Sequence, residues 1–388
     1  MAGGGAGRPP LVHRCPYAPG PTPGGAGYKL KSLIKITFYL VVLSVVLVLA
    51  AAGWGYFTLQ NTLNQPLRIT VADTLEVPPG STPASVFAGL ENRGVIERAA
   101  WVRRYWQWRM PDTILQVGEY RLEPGMQVRG LLGALQRGEV AQRSITLVEG
   151  WNFSQFRDAL ARAERLQQTL PRDWSNEQVA AELELSEPHP EGLFFPDTYL
   201  YTLGMSDRDI LRRAHQRMQQ VLAEVWEQRA EDLPISTPYE ALILASIIEK
   251  ETGVPHERGE IAGVFTRRLR IGMRLQTDPT VIYGMGENWQ GKIRRNDLRR
   301  ATPYNTYTID GLPPTPIAMP GRDSLLAAVN PKPGRSLYFV ARGDGSHVFS
   351  ETLQQHNRAV RHYQILNRAT NYRSSPPPAE SSASGETP

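Results

Sequence analysis

The chain has 388 residues, 43 Lys and Arg against 38 Asp and Glu, a net charge of +5 and a single cysteine, Cys15. So mild a basic excess shows none of the stripes that track nucleic acid, and one cysteine closes no disulfide within the chain, so the folded part must rest on its core. One cysteine and scattered histidines, His347, His356 and His362 among them, show no ligand spacing and predict no metal site and no cofactor.

The first predicted element is a tail. Residues 1–27 are rich in Gly and Pro, and residues 1–35 are predicted to be a disordered, basic arm on the cytoplasmic side. Residues 36–57, ITFYLVVLSVVLVLAAAGWGYF, follow without a charge and are long enough to cross roughly 30 Å of hydrocarbon. Arg8, Arg14, Lys29, Lys31 and Lys35 precede this run, and no acid lies in residues 1–35. The positive-inside rule therefore predicts a single-pass bacterial inner-membrane anchor, N-terminus in the cytoplasm and bulk in the periplasm. A cleaved signal peptide is the competing reading, but its apolar run is shorter, about 7–15 residues.

Between the anchor and Leu166 three segments align without gaps: VPPGSTPASVFAGL from Val77, LEPGMQVRGLLGAL from Leu122 and LVEGWNFSQFRDAL from Leu147. Each sets a strand-type apolar residue before a glycine (Gly80, Gly125, Gly150), then two apolar residues four apart, on one helix face (Val86 and Leu90, Leu131 and Leu135, Phe156 and Leu160). Glycine permits the sharp turn between strand and helix. In pattern this repeat resembles the LysM-type modules that bind glycans, so residues 66–166 are predicted to be a LysM-like glycan-binding region. Trp101, Tyr105, Trp106 and Trp108 admit two readings, stacking on sugar rings or a buried helix face, because Trp101, Tyr105 and Trp108 share helical spacing.

Residues 191–370 are predicted to carry the chemistry. They open with EGLFFPDTYLY, continue through an amphipathic helix over residues 207–230, and reach an apolar run at residues 242–248. A helix is predicted over residues 257–271. The chain then becomes turn-rich, with MRLQTDPTVIYGMG and RATPYNTYTIDGLPPTPIAMPG. Gln276, Thr277, Asp278, Tyr304, Asn305, Thr306 and Tyr307 supply hydrogen-bonding groups suited to sugar hydroxyls, on loops of the kind that carry function. Residues 336–350 read as a hairpin about Gly343-Asp344-Gly345. Residues 371–388 are predicted to be a disordered tail.

The apolar run ends in Glu249-Lys250-Glu251. A run apolar on every face is a buried helix. A carboxylate at its end lies beside low-dielectric walls that raise its pKa and suit it to act as a general acid. The other reading is a helix that simply surfaces there. Glu251, two residues on, points about 200° away from Glu249 if the helix continues.

LASIIEKET, GVFTRRLRIGMRLQTDPTVIYGMG, ATPYNTYTIDGLPPTPIAMPG, EGLFFPDTY and the YFVA…HVFS…HN ending together resemble the endolytic murein transglycosylases, the YceG-like family, over residues 66–365. The resemblance implies an α+β protein with one N-terminal transmembrane helix, small LysM-like modules and a larger mixed α/β catalytic domain. It implies a lytic transglycosylase that cuts peptidoglycan strands internally between N-acetylmuramic acid and N-acetylglucosamine, leaving 1,6-anhydro ends, without metal or cofactor. It places the catalytic acid at Glu249, the first acid of the motif. The implied substrate-binding residues are Gln276, Thr277, Asp278, Tyr304, Asn305 and Thr306, and peptidoglycan synthases or division proteins are the implied partners. Two alternatives are a hydrolytic muramidase, for which Asp278 is the candidate second carboxylate, and a non-catalytic glycan-binding scaffold.

Overall fold

Helix α1 (Gly25–Asn64) forms because nothing from Tyr28 to Asn64 breaks it: no proline interrupts the run, and its leucines, alanines and lysines favour helix. It starts well before residue 36, so the arm expected to be disordered is helical from Gly25. The computed structural model describes residues 25–367, with Met1 and Gly3, and the remaining N-terminal arm and the tail at 371–388 lie outside the described residues. From Leu33 to Phe57 the large apolar side chains of α1 face outward, and Leu33–Asn64 is long and apolar enough to cross a membrane.

The chain divides into two units. The first comprises Met1–Val71, Pro83–Thr113 and Glu123–Gly133. Here α1 becomes buried at Thr58, Thr62 and Leu63, and it packs on α3 (Ala99–Arg109), with Trp54 edge-on to Trp101. Helix α2 (Pro83–Asn92) meets α3 through Phe87 and Trp106, whose ring centroids are 5.7 Å apart. The buried face of α3 is Ala99, Val102 and Trp106. This corrects the expected face: Trp108 is exposed, with the Arg109 guanidinium over its ring.

The second unit comprises Ala72–Thr82, Ile114–Leu122 and the chain from Ala134 onward. Among the described residues it holds three antiparallel pairs. Strand β1 (Asp73–Val77) pairs with β2 (Gly118–Leu122), and β3 (Arg143–Thr146) with β4 (Thr198–Tyr201). The pair β5 (Tyr338–Ala341) and β6 (His347–Ser350) is the hairpin read from the sequence.

The predicted repeat is present as strand, turn and helix: β1 before α2, β2 before α4 (Val128–Arg137), β3 before α5 (Phe153–Arg162). Gly80, Gly125 and Gly150 take φ of 79°, 85° and 75°, a region side chains disfavour. Val86, Leu90, Leu131, Leu135, Phe156 and Leu160 are all buried, as the spacing predicts.

Helices α6 (Asn176–Glu182) and α7 (Asp207–Glu227) follow. The centre of this unit is α8 (Pro238–Glu251). Thr237 caps it by accepting the Glu240 N–H, and Ala241 through Ile248 are all buried. Four helices wall it: α7, α9 (Arg258–Arg270), α10 (Asp278–Met285) and α11 (Arg322–Val329). Helix α10 lies in a stretch expected to be loop. Pro279 fits the first turn, where its missing N–H costs nothing, so the Asp-Pro pair begins a helix instead of marking a turn. Helix α12 (Leu353–Val360) follows the hairpin.

Candidate active site

The C-terminal turn of α8 opens on a cavity of about 740 Å³. Its lining includes Asn152, Glu191, Glu251, Asp278, Tyr283, Trp289, Tyr304 and His347. A second cavity of about 510 Å³ is lined by Gln276, Tyr307, Arg268 and Tyr338 among others. Glu251, Asp278 and His347 line both, so these two spaces adjoin across one carboxyl group of α8.

The two acids of the helix end are thereby told apart. Glu249 Oε2 accepts the Gly321 N–H at 3.0 Å, and its Oε1 lies 3.9 Å from Arg258 Nη2. Glu149 sits beside it, its carboxyl pushed up by burial and by the Glu249 charge, with Arg258 opposing. The Glu249 side chain is 7% exposed and lines neither cavity. Glu251 lines both. Both acids close the apolar run; the cavities open at Glu251, while Glu249, where the resemblance places the acid, turns toward Gly321 and Arg258.

Glu251 has the electrostatics of a general acid. Burial raises its pKa to about 7, Asp278 adds to the rise, and the Thr277 hydroxyl and Arg268 oppose it. Its place in the last turn of α8, at the negative end of the helix dipole, acts in the same direction as burial. Thr277 Oγ1 donates to Glu251 Oε1.

Glu191 is a further carboxyl of the larger cavity, beside Glu251 and Asp278, and is only 3% exposed. It accepts the Phe153 N–H at 3.0 Å and the Tyr283 hydroxyl at 3.0 Å. Burial raises its pKa to about 7 against those donors and against Lys250. Lys250 Nζ itself donates to the Gly150 carbonyl at 3.1 Å.

The other residues expected to bind substrate separate into two groups. Gln276, Asp278 and Tyr304 line the cavities. Asp278 Oδ1 accepts the Tyr307 hydroxyl at 2.7 Å, and Tyr304 shares a 2.9 Å hydrogen bond with Thr315. Gln276 is exposed and held at φ 51°, a strained backbone for a residue with a side chain.

Thr277, Asn305 and Thr306 are instead buried, and their polar atoms are taken up by the fold. Asn305 donates to the carbonyls of Asp297 and Arg300 and accepts the Tyr307 N–H. Thr306 Oγ1 accepts the Thr277 N–H and shares a bond with Thr280. Their role in the fold is to brace the loop that carries Thr277, which in turn holds Glu251.

A family model described as the YceG-like family matches residues 75–362. The chain belongs to the YceG-like family. It is 29% identical over 335 residues to the endolytic murein transglycosylase of Bacillus subtilis (strain 168), covering 80% of this chain and 90% of that one. It is 27% identical over 359 residues to the endolytic murein transglycosylase of Streptococcus pneumoniae serotype 2, covering 83% of this chain and 64% of that protein's length. Among solved structures, a YceG-like protein of Listeria monocytogenes is 29% identical, with 74% of this chain and 98% of that one covered and a TM-score of 0.47.

Within this YceG-like chain, several cavity residues have no counterpart in the sequence expectations. Glu191 opens EGLFFPDTY, a motif legible in the sequence, but its neighbours Phe153 and Tyr283 are far from it along the chain. Trp289 and Asn152 sit in segments that read as turns. His347 has no ligand spacing, yet it faces both cavities with its ring bound to Glu257.

Proposed function

We propose that this chain is an endolytic murein transglycosylase in which Glu251 supplies the proton. The observation that carries this reading is the position of Glu251, a carboxyl with a pKa near neutrality, where two cavities adjoin. Cutting inside a strand requires sugar on both sides of the acid, and space on both sides is what an internal cut needs. Glu251 protonates the glycosidic oxygen between N-acetylmuramic acid and N-acetylglucosamine. As the C1–O bond breaks, the 6-hydroxyl oxygen of the same muramyl residue bonds to C1, and a 1,6-anhydro end forms without water.

Tyr304, Trp289 and Tyr283 offer aromatic faces to the sugar rings, and Asp278 and Gln276 offer polar groups to their hydroxyls. Thr277, with Asn305 and Thr306 behind it, positions the acid. Residues 66–166 are proposed to hold glycan as LysM-like modules do, with exposed Trp108 as a contact. The apolar helix α1 is proposed as an inner-membrane anchor with the basic arm in the cytoplasm and the catalytic part in the periplasm, beside the synthases that make new strands.

Asp278 and Glu191 give the hydrolytic reading a specific footing, because both are further carboxyls in the same cavity. Product chemistry separates the readings. The protein is incubated with uncrosslinked glycan strands and the fragments are weighed. Anhydro-muramyl ends are expected; reducing muramyl ends indicate a muramidase, and intact strands a scaffold. Glu251→Gln is expected to abolish cleavage and Glu249→Gln to retain it, and the reverse pattern returns the acid to Glu249.

A further inference from the structure

The hairpin turn at Gly343-Asp344-Gly345 delivers His347 to the start of β6. Asp344 Oδ1 accepts both the N–H and the hydroxyl of Ser346, at 2.9 and 2.7 Å, and this fixes the turn. His347 is 6% exposed. Its Nδ1 lies 2.8 Å from Glu257 Oε2, and its backbone N–H donates to Glu257 Oε1 at 2.9 Å. Glu257 is buried as well, and the Thr252 hydroxyl, just beyond α8, reaches its Oε2 at 3.5 Å. Phe339 packs edge-on against the imidazole, with 5.5 Å between centroids.

Every contact recorded for the ring leaves Nε2 without a protein partner among the described residues, and the residue lines both cavities beside Glu251. A buried carboxylate on Nδ1 keeps the proton there, presents the Nε2 lone pair, and stabilises the imidazolium once Nε2 takes a proton. The anchored ring, the buried acid behind it and the open nitrogen in shared space form a base, and the proposed reaction needs one for its 6-hydroxyl.

We propose that His347, held by Glu257, is the general base of the proposed transglycosylase reaction; this rests on Glu251 as its acid. The Glu251 proton goes to the leaving glycosidic oxygen. The 6-hydroxyl oxygen bonds to C1 and its proton passes to His347 Nε2. After the products leave, the imidazolium returns one proton to the Glu251 carboxylate, so both groups are restored and no water is consumed. Glu257 stands behind the imidazole; the other charged groups and imidazoles that line its two cavities are Glu191, Lys250, Glu251, Asp278 and His189 in the larger, and Arg268 and His356 with Glu251 and Asp278 in the second. Asp278 is the competing base, but it is exposed and its Oδ1 already accepts the Tyr307 hydroxyl.

The test uses the full chain in detergent micelles with uncrosslinked glycan strands, reading kcat, KM and their pH profiles from anhydro-ended fragments. His347→Asn keeps a group able to meet Glu257 and removes Nε2. It is expected to lower kcat about 100-fold or more, with KM within about twofold, and to remove the acidic limb of the kcat profile. Glu257→Gln withdraws the charge that favours imidazolium, so the acidic limb moves to lower pH. A parent-like kcat profile in His347→Asn overturns the proposal, as does an acidic limb that persists there and vanishes in Asp278→Asn. If His347→Asn melts below the parent, Glu257→Gln decides, and an unmoved acidic limb overturns the proposal. Glu251→Gln run in parallel keeps the failures apart: if it still cuts, the acid assignment fails, whereas an inactive Glu251→Gln with a parent-like His347→Asn removes only the base.

Discussion

The Thr277 hydroxyl donates to Glu251 Oε1, and the Thr277 N–H is itself held by Thr306 Oγ1 at 3.0 Å. A half-buried acid on the central helix is thus tied to the loop before α10. The bond favours the ionised carboxylate and holds the Glu251 pKa below the value burial alone would set.

Thr277→Val removes that donor and keeps the side-chain shape. The Glu251 pKa then rises, and the alkaline limb of the activity profile, where the acid is lost, moves to higher pH. Rates measured from about pH 5 to 9 check this. A limb that stays in place or moves down contradicts the assigned bond.

The raised carboxyls also make stability depend on pH. Glu191 and Glu251 stand near 7 in the folded state against a usual value of 4.5. Their protonated forms are favoured on folding, so this stability is fully present below the unfolded pKa. It is lost as pH rises through about 7. For Glu191, which is fully buried, the loss is on the order of 3 kcal/mol. Thermal melts should fall from about pH 5 to 8, and Glu191→Gln should flatten that fall. An equal slope in parent and variant contradicts the raised pKa.

Gly192 allows Glu191 to sit where it does. Its φ is 81°, and a Cβ there would collide with Pro316 Cβ. Gly192→Ala combines backbone strain with a collision that a proline ring cannot easily yield to. A loss of about 2–4 kcal/mol in denaturant unfolding is expected, with cleavage lowered through a displaced Glu191.

Trp289 lines the larger cavity and offers it an aromatic ring. Trp289→Ala should remove binding common to the ground state and the transition state. KM is expected to rise about tenfold with kcat within about threefold. A large fall in kcat at unchanged KM would instead place Trp289 in the chemistry.

The local elements were legible because each is encoded within a few residues. The apolar run of α1, the turns at Gly80, Gly125 and Gly150, the hairpin at Gly343 and the buried face of α8 all follow from periodicity and glycine placement. Helix α10 escaped that reading because an Asp-Pro pair serves equally as a turn or as a helix start. The sequence also singled out one helix end, where an apolar run meets two acids.

The surroundings of each acid are set by groups far along the chain. Gly321 and Arg258 engage Glu249, Thr277 holds Glu251, and Phe153 and Tyr283 hold Glu191. The Glu257–His347 pair spans 90 positions. By itself the sequence determined the anchor-like helix, the repeated strand–turn–helix units and the family. Only the tertiary structure decided the surroundings of the acids, because burial and hydrogen-bond donors, which set a carboxyl's pKa, come from residues that only folding brings together.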